Sequence, residues 1–224
     1  VRITSLLILA LAAGSLAAQD AVTDRRLQLF LEYSAPTEIT MAPGTKDKPK
    51  AQTGVGFRFL GEIAGAPGLY YELGGMFDSS STFRFNGTTS GGTLDLTNAK
   101  LTNSYWSVGA AYLWKLGASG SFGLHLEGRG EFLRLQGEAA GTYLATTPQS
   151  LDHSTTYLRP WLRASADVTF AAGKPVRPFV GLDGSFALLK TGQTRVPDYT
   201  DLDDRTVKSL APRYSGSVYA GVRF

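Results

Sequence analysis

The stretch Tyr214-Ser-Gly-Ser-Val-Tyr-Ala-Gly-Val-Arg-Phe224 decides how this sequence reads. Tyr214, Gly216, Val218, Ala220, Val222 and Phe224 share one phase of a two-residue period. Arg213, Ser215, Ser217, Tyr219, Gly221 and Arg223 share the other. Successive side chains of a β-strand point to opposite faces, so this is a strand with one apolar face and one polar, partly charged face. Chain ends normally fray and are polar. An aromatic that ends a two-faced strand therefore needs a reason, and the reason expected is that this strand closes a barrel.

Seven further segments repeat the pattern. Leu27, Leu29, Leu31 and Tyr33 alternate with Gln28, Phe30 and Glu32. Val55, Phe57, Phe59 and Ile63 alternate with Arg58 and Glu62, and Leu69, Tyr71, Leu73 and Phe77 with Glu72, Met76 and Asp78. Trp106, Val108, Ala110, Tyr112 and Trp114 oppose Ser107, Gly109 and Ala111; Phe122, Leu124 and Leu126 oppose His125, Glu127, Arg129 and Glu131. Leu158, Leu162, Ala164, Ala166, Val168 and Phe170 oppose Arg159, Trp161, Arg163, Ser165 and Asp167. Val180, Leu182, Phe186 and Leu188 oppose Arg177, Asp183 and Ser185. Pro160 is expected near the start of the sixth strand, where a lost ladder donor does least harm. The fifth strand loses its phase after Phe132, because Leu133 and Leu135 fall on the charged face. A bulge, or the end of a membrane-embedded part, would account for that.

The links between strands alternate in length. Gly65–Gly68, Gly117–Gly120 and Ala171–Pro175 are short, while the links between strands one and two, three and four, five and six, and seven and eight are long and polar. Short turns on one side and long loops on the other are the habit of transmembrane barrels, and both termini then lie on the side of the short turns. A soluble sandwich or lipocalin-like barrel would also give eight alternating strands, but with the apolar face inward. Bulky aromatics near the strand ends (Tyr71, Tyr112, Trp114, Phe122, Phe170, Phe224) favour an apolar face turned to lipid. The charged face points the same way. It carries Glu32, Glu62, Glu72, Asp78, Glu127, Glu131, Asp167 and Asp183 against Arg58, Arg129, Arg159, Arg163, Arg177, Arg213 and Arg223, with almost no lysine. Arginine is preferred where a charge is buried and paired, and near-balance of sign suits an enclosed network.

The fold expected is thus all-β: an eight-stranded antiparallel up-and-down transmembrane β-barrel. At the other end, Arg2, the apolar run Leu6–Ala13 and the small residues before Gln19-Asp20 have the form of a secretory signal peptide. Cleavage is expected after Ala17 or Ala18, so that 1–18 is leader and 19–224 the barrel domain. The run is short for a transmembrane helix. The sequence holds no cysteine, which removes disulfides, thiolate metal sites, thiol nucleophiles and a lipoprotein anchor. The formal charge is +3, and removing Arg2 leaves +2, too small to argue for nucleic acid.

With these features the chain resembles the small eight-stranded outer-membrane barrels of the OmpA/OmpX/Opacity-protein type, over roughly Leu27 to Phe224. The resemblance lies in the leader, the eight strands, the four long loops and the terminal aromatic strand. It implies a monomer in the bacterial outer membrane, in contact with outer-membrane lipid and lipopolysaccharide. It also implies that Tyr214, Val222 and Phe224 are read by the outer-membrane assembly machinery, and that the loops meet any extracellular ligand. The peptidoglycan-binding module of full OmpA-like proteins is expected to be absent.

Little in the sequence asks for chemistry. An eight-stranded barrel is just wide enough inside for side chains. With Glu32, Arg58, Glu72, Asp78, Glu127, Arg129, Arg159, Arg163, Asp167, Arg177, Asp183, Arg213 and Arg223 inward, the lumen is expected to be plugged rather than an open pore. A small gated channel and a lipid A-modifying enzyme are the alternatives. Only His125 and His153 could serve as a histidine base. His125 is expected in the interior polar network beside Glu127, as a structural rather than catalytic group. His153 lies with Asp152 and Ser154 in what reads as the third long loop, where water would quench a site; His153-Ser154-Thr155 departs from the His-x-Ser element of lipid A deacylase barrels. Asp198, Asp201, Asp203 and Asp204 have oxygen ligands but neither the glycine turn nor the terminal Glu of an EF-hand, so a solvated acidic loop is the reading. Asn86-Gly-Thr-Thr-Ser-Gly-Gly-Thr93 reads as a flexible polar tip. No catalytic residue, cofactor or metal is assigned. The function expected is a non-enzymatic surface protein contributing to envelope integrity or adhesion through its four loops.

Overall fold

A computed structural model describes residues 24–35, 39–40, 46–47, 50–89, 92–141, 145–171, 174–189 and 210–224. The leader and the acidic stretch Asp198 to Asp204 lie outside the described residues. Each alternating segment becomes a strand: β1 (Arg25–Ala35), β4 (Gln52–Glu62), β5 (Leu69–Thr89), β6 (Gly92–Leu116), β7 (Gly120–Gly141), β8 (Ala145–Thr169), β9 (Arg177–Ala187) and β10 (Tyr214–Arg223). Two short strands, β2 (Ile39–Thr40) and β3 (Lys46–Asp47), pair with each other between β1 and β4. The eight long strands pair antiparallel in the closed order β1-β10-β9-β8-β7-β6-β5-β4. The last strand meets the first with Leu31 opposite Val218 and Leu29 opposite Ala220. Arg25 and Phe224 exchange both backbone hydrogen bonds at 2.9 Å.

The two faces have the polarity of a membrane protein. Leu29 is 65 % exposed and Arg163 is 0 % exposed, the reverse of what water selects. Only hydrocarbon around the wall makes such a barrel stable, because the ring closes the ladders across the apolar band and its apolar side needs no water. The barrel is therefore a transmembrane one. Aromatic side chains bound the apolar band. Tyr33, Phe77, Trp106, Phe132, Phe186 and Tyr214 stand exposed at one end; Tyr71, Tyr112, Trp114, Phe122, Phe170 and Phe224 stand exposed at the other. The run Trp106 to Trp114 on β6 is nine residues, within the ~9–11 that a tilted transmembrane strand needs.

Past the first girdle the polarity inverts. β5 to β8 run to 21, 25, 22 and 25 residues, while β1, β4, β9 and β10 stop at 11, 11, 11 and 10. On the long strands Ala99, Leu101, Leu133 and Leu135 are buried inside, and Lys100, Arg134 and Asp152 face out. β7 therefore keeps its phase through Leu133 and Leu135, and its pairing with β8 is unbroken from Gly120 to Ala139. No bulge is present there: the strand has left the membrane, and its outer face now meets water. Much of what reads as the second and third long loops is strand. Asn86 pairs with Asp95 and Thr88 with Thr93, so the described part of the expected flexible tip is strand, and Ser90 and Gly91 lie outside the described residues. His153 lies on β8 opposite Leu135. Pro160 also falls mid-strand rather than near a strand start. Its carbonyl accepts from Leu188 N at 2.9 Å, so its missing donor faces the side on which β9 ends.

Register is pinned by aromatic rings laid over glycines. Phe30 opposes Gly56, Tyr71 opposes Gly61, Trp106 opposes Gly130, Phe179 opposes Gly221, and Tyr219 opposes Gly181. In each pair a Cβ on the glycine would stand within 2.7 Å of the ring. Such direct cross-strand pairs fix which residues face each other. At Gly56 the added Cβ would also lie 2.4 Å from Gly75 O, whereas at Gly184 it meets nothing within 4 Å. Gly56→Ala is expected to destabilise the barrel by about 1–3 kcal/mol and Gly184→Ala by no more than about 0.5 kcal/mol. Urea titration of folding in lipid vesicles, followed by the mobility of unheated samples on gels, measures both.

Candidate functional site: the charged barrel interior

The inward phase of eight strands delivers its charges to a narrow bore. Arg26, Arg58, Arg129, Arg159 and Arg163 are fully buried, with Glu32, Glu72, Glu127, Glu131, Asp167 and Asp183. Among the described residues no lysine joins them. Arg163 reaches Glu72, with Glu127 at 3.3 Å and Asp183 at 3.6 Å. Arg58 lies 2.7 Å from Asp183, 3.7 Å from Glu72 and 3.8 Å from Glu32. Arg129 lies 3.0 Å from Glu127 and 3.6 Å from Glu32. Glu131 accepts from Arg159, Trp161 Nε1 and Tyr157 Oη at 2.6–3.0 Å. Arg159 also donates to Pro212 O at 2.7 Å, tying the segment that leads into β10 to the outer mouth.

Guanidinium planes stack on rings as well as pairing with carboxylates. Arg58 lies 3.9 Å from the Phe30 centroid, Arg129 sits 4.3 Å from both Tyr105 and Trp161, and Arg159 is 4.7 Å from Trp161. Such contacts suit a desolvated arginine and would not suit a lysine equally. Phe30, Met76, Tyr105, Phe179 and Tyr219 form one buried apolar cluster, and Leu60, Tyr70, Ala111 and Leu113 another. The bore is filled by side chains.

The expected interior set divides into three. Glu32, Arg58, Glu72, Glu127, Arg129, Arg159, Arg163, Asp167 and Asp183 come together in the lumen. Arg177, Arg213 and Arg223 are half-buried at the rims. Asp78 is a correction: it is exposed on the outer wall. The β5–β6 register shifts between Met76 and Ser79, and this bulge leaves Phe77 and Asp78 both outward. His125 is interior as expected but is held by Glu72 rather than Glu127. Its Nδ1 lies 2.8 Å from Glu72 Oε2 and its Nε2 2.8 Å from Ser165 Oγ. That is the atom order of a serine–histidine–carboxylate relay. All three side chains are buried, however, and Gly123 packs so closely that a Cβ there would lie 2.6 Å from Ser165 Oγ. Asp152 is engaged by Arg134 at 2.5 and 2.8 Å. These hydrogen bonds hold the exposed Asp152 carboxyl below its ordinary range.

Two groups escape the sequence reading. Arg26 donates to Asp167 at 3.0 Å and Ser121 at 3.2 Å; it shares the phase of Gln28, Phe30 and Glu32, which is the signal that finds it. Asp24 precedes the first strand and gives no periodic signal. It accepts from Tyr70 Oη and Arg223 Nε at 2.5 Å each, while its own N–H donates to Glu62 at 3.3 Å. Glu62 also accepts from Gly68 N at 2.8 Å. One carboxylate thus clasps β1, β5 and β10 at the barrel seam.

No protein-family model and no curated protein matches the sequence. Among solved structures the chain is similar to Ail, the attachment invasion locus protein of Yersinia pestis, crystallised with the heparin analogue sucrose octasulfate: 12 % identity, TM-score 0.48, covering 90 % of this chain and 99 % of that one. It is also similar to Neisserial surface protein A at 13 % identity and TM-score 0.43, covering 89 % and 95 %. A major outer membrane protein of Thermus thermophilus follows at 9 % identity and TM-score 0.41, covering 89 % and 98 %. These are likenesses of overall architecture only.

The network has a measurable weight. Arg58→Leu removes the cation between Asp183, Glu72 and Glu32, and breaking a buried pair from one side costs about 3–5 kcal/mol. Arg58→Lys is expected to recover only part of that loss, since it restores charge but not the planar stack on Phe30. Arg134→Ala, at an exposed pair, is expected to leave the urea midpoint almost unmoved. Vesicle-based unfolding of the three variants tests the ranking.

Proposed function

We propose that this chain is a non-enzymatic surface protein of the bacterial outer membrane. Its plugged barrel anchors an extracellular four-stranded sheet and loops that support envelope integrity or adhesion. The observation that carries the reading is the unequal strand length. At ~3.3 Å per residue, the 25 residues of β6 and β8 extend roughly 80 Å against roughly 35 Å for β1. The apolar band uses only the lower part. The remainder stands clear of the membrane with a water-compatible outer face carrying Lys100, Arg134 and Asp152.

Among the described residues, β4 pairs with β5 only as far as Met76, and β9 with β8 only as far as Trp161, so no described barrel strand flanks the ladders beyond. Unpaired strand edges present rows of donors and acceptors to another chain. The filled lumen argues against the channel reading, and the enclosed Ser165 against catalysis on an outside substrate. On β10, Tyr214, Val222 and Phe224 face outward, where an assembly machine would read them before the strand is buried in lipid.

The absence of cysteine makes the topology directly testable. Ser154→Cys on β8 and Ser80→Cys on β5 are expected to react with a membrane-impermeant maleimide on intact cells. Ala118→Cys, in the β6–β7 turn, is expected to react only after the outer membrane is permeabilised. Labelling in the opposite order would invert the barrel and end the reading. In planar bilayers the protein is expected to show no steady single-channel current; a sustained conductance would restore the channel.

A further inference from the structure

At the end of the barrel that carries both termini, the inward phase sets three guanidinium groups in one row. Arg177 on β9 lies directly opposite Arg223 on β10, and Arg223 directly opposite Arg26 on β1. Directly opposed side chains on neighbouring strands start about 4.5–5.5 Å apart, and like charges so placed destabilise the pair. Two of the three cations are neutralised within the chain. Arg26 pairs with Asp167 at 3.0 Å, and Arg223 with Asp24 at 2.5 Å.

Arg177 is different. Among the described residues, every other inward-phase arginine meets a carboxylate or an aromatic ring; Arg213, at the opposite mouth, lies 5.8 Å from the Tyr214 centroid. Arg177 has neither. It is half-buried, and its enclosed Nε has no hydrogen-bond partner. The carboxylates of this mouth are committed elsewhere. Asp24 is taken by Arg26, Arg223 and Tyr70, Asp167 by Arg26 and Ser121, and Glu62 by the N–H groups of Asp24 and Gly68. Phe224 O is turned to the far side of β10, where it accepts from Arg25 N at 2.9 Å. Lys174, exposed in the β8–β9 turn just before Arg177, adds to the positive field.

We infer that Arg177 and Arg223 together hold one phosphate group at this mouth. A guanidinium presents its donors as a planar fork. Arg223 uses Nε on Asp24, which leaves its terminal nitrogens, and Arg177 keeps its whole fork. A carboxylate has only two oxygens, and a single fork saturates them. A tetrahedral phosphate has oxygens enough for two forks, and its charge cancels the repulsion between the facing arginines. Two sources carry this chemistry: free inorganic phosphate, and the phosphate of a lipid headgroup at the rim.

Calorimetric titration of the folded full chain in phosphate-free maltoside micelles, with inorganic phosphate against chloride at equal ionic strength, tests it. One phosphate per protein is expected, together with a urea midpoint that rises as phosphate is added. Arg177→Gln is expected to weaken phosphate about tenfold. In chloride alone the same variant is expected to be at least as stable as the parent, because it removes a like charge facing Arg223. Arg177→Lys, which keeps the charge and loses the fork, is expected to fall between the two in affinity. A second arm replaces inorganic phosphate with short-chain phosphatidic acid. Tighter binding there assigns the site to a headgroup, and equal or weaker binding assigns it to the free ion. No saturable binding in either arm, or binding unchanged in Arg177→Gln, overturns the inference. So does a loss of stability of Arg177→Gln in chloride, which would give Arg177 a partner within the chain.

Discussion

Everything else in this molecule depends on how eleven ionisable side chains are kept out of water in a bore only wide enough for side chains. Five arginines and six carboxylates occupy the interior. Isolating any of them in a low-dielectric space costs several kcal/mol. The structure meets this by sharing: Arg58 and Arg163 each reach three carboxylates, and Glu131 gathers three donor residues. Arginine alone can pair at its edge while stacking its face on Phe30, Tyr105 or Trp161, so the choice of cation follows from the space available. The same side chains that solve the charge problem also occupy the bore.

This constraint reaches the backbone. Ion pairs spread over β1, β4, β5, β7, β8 and β9 can close only if every strand keeps its register, because a slip of one residue would send each charge to the lipid face. The rings seated over Gly56, Gly61, Gly130, Gly181 and Gly221 hold that register independently of charge. The clasp around Asp24 does the same at the seam, where the two chain ends meet.

The eight strands and their two faces were legible because a period of two needs only a few residues to be visible, and the membrane enforces it strictly. The terminal strand, the girdle near the short turns and nine of the thirteen expected interior charges follow from that period alone. The misses share one cause: the period reports phase, not environment. Asp78 obeys the alternation as written, but a bulge beside it flips the wall. Leu133 and Leu135 look out of phase only if the solvent outside is assumed constant along the strand. The long extensions of β5 to β8 hide because Ser, Thr, Asn and Gly dominate there, and a strand with a polar outer face resembles a loop. The partner of His125 could not be read at all. Glu72 lies two strands away, and only barrel closure decides that it, rather than the sequence neighbour Glu127, meets the imidazole.

The inversion of polarity along β5 to β8 also dictates an order of events. The hairpin ends beyond the girdle, with Lys100, Arg134 and Asp152 on their outer face, must cross hydrocarbon to reach the far side. A completed ring offers them no passage, since its bore is already occupied by Arg58, Arg129 and Trp161. The long hairpins therefore travel while the wall is still an open sheet, and the first and last strands, β1 and β10, are the ones left to meet. Asp24 then acts as a latch thrown last, on a door that shuts only after its cargo has gone through.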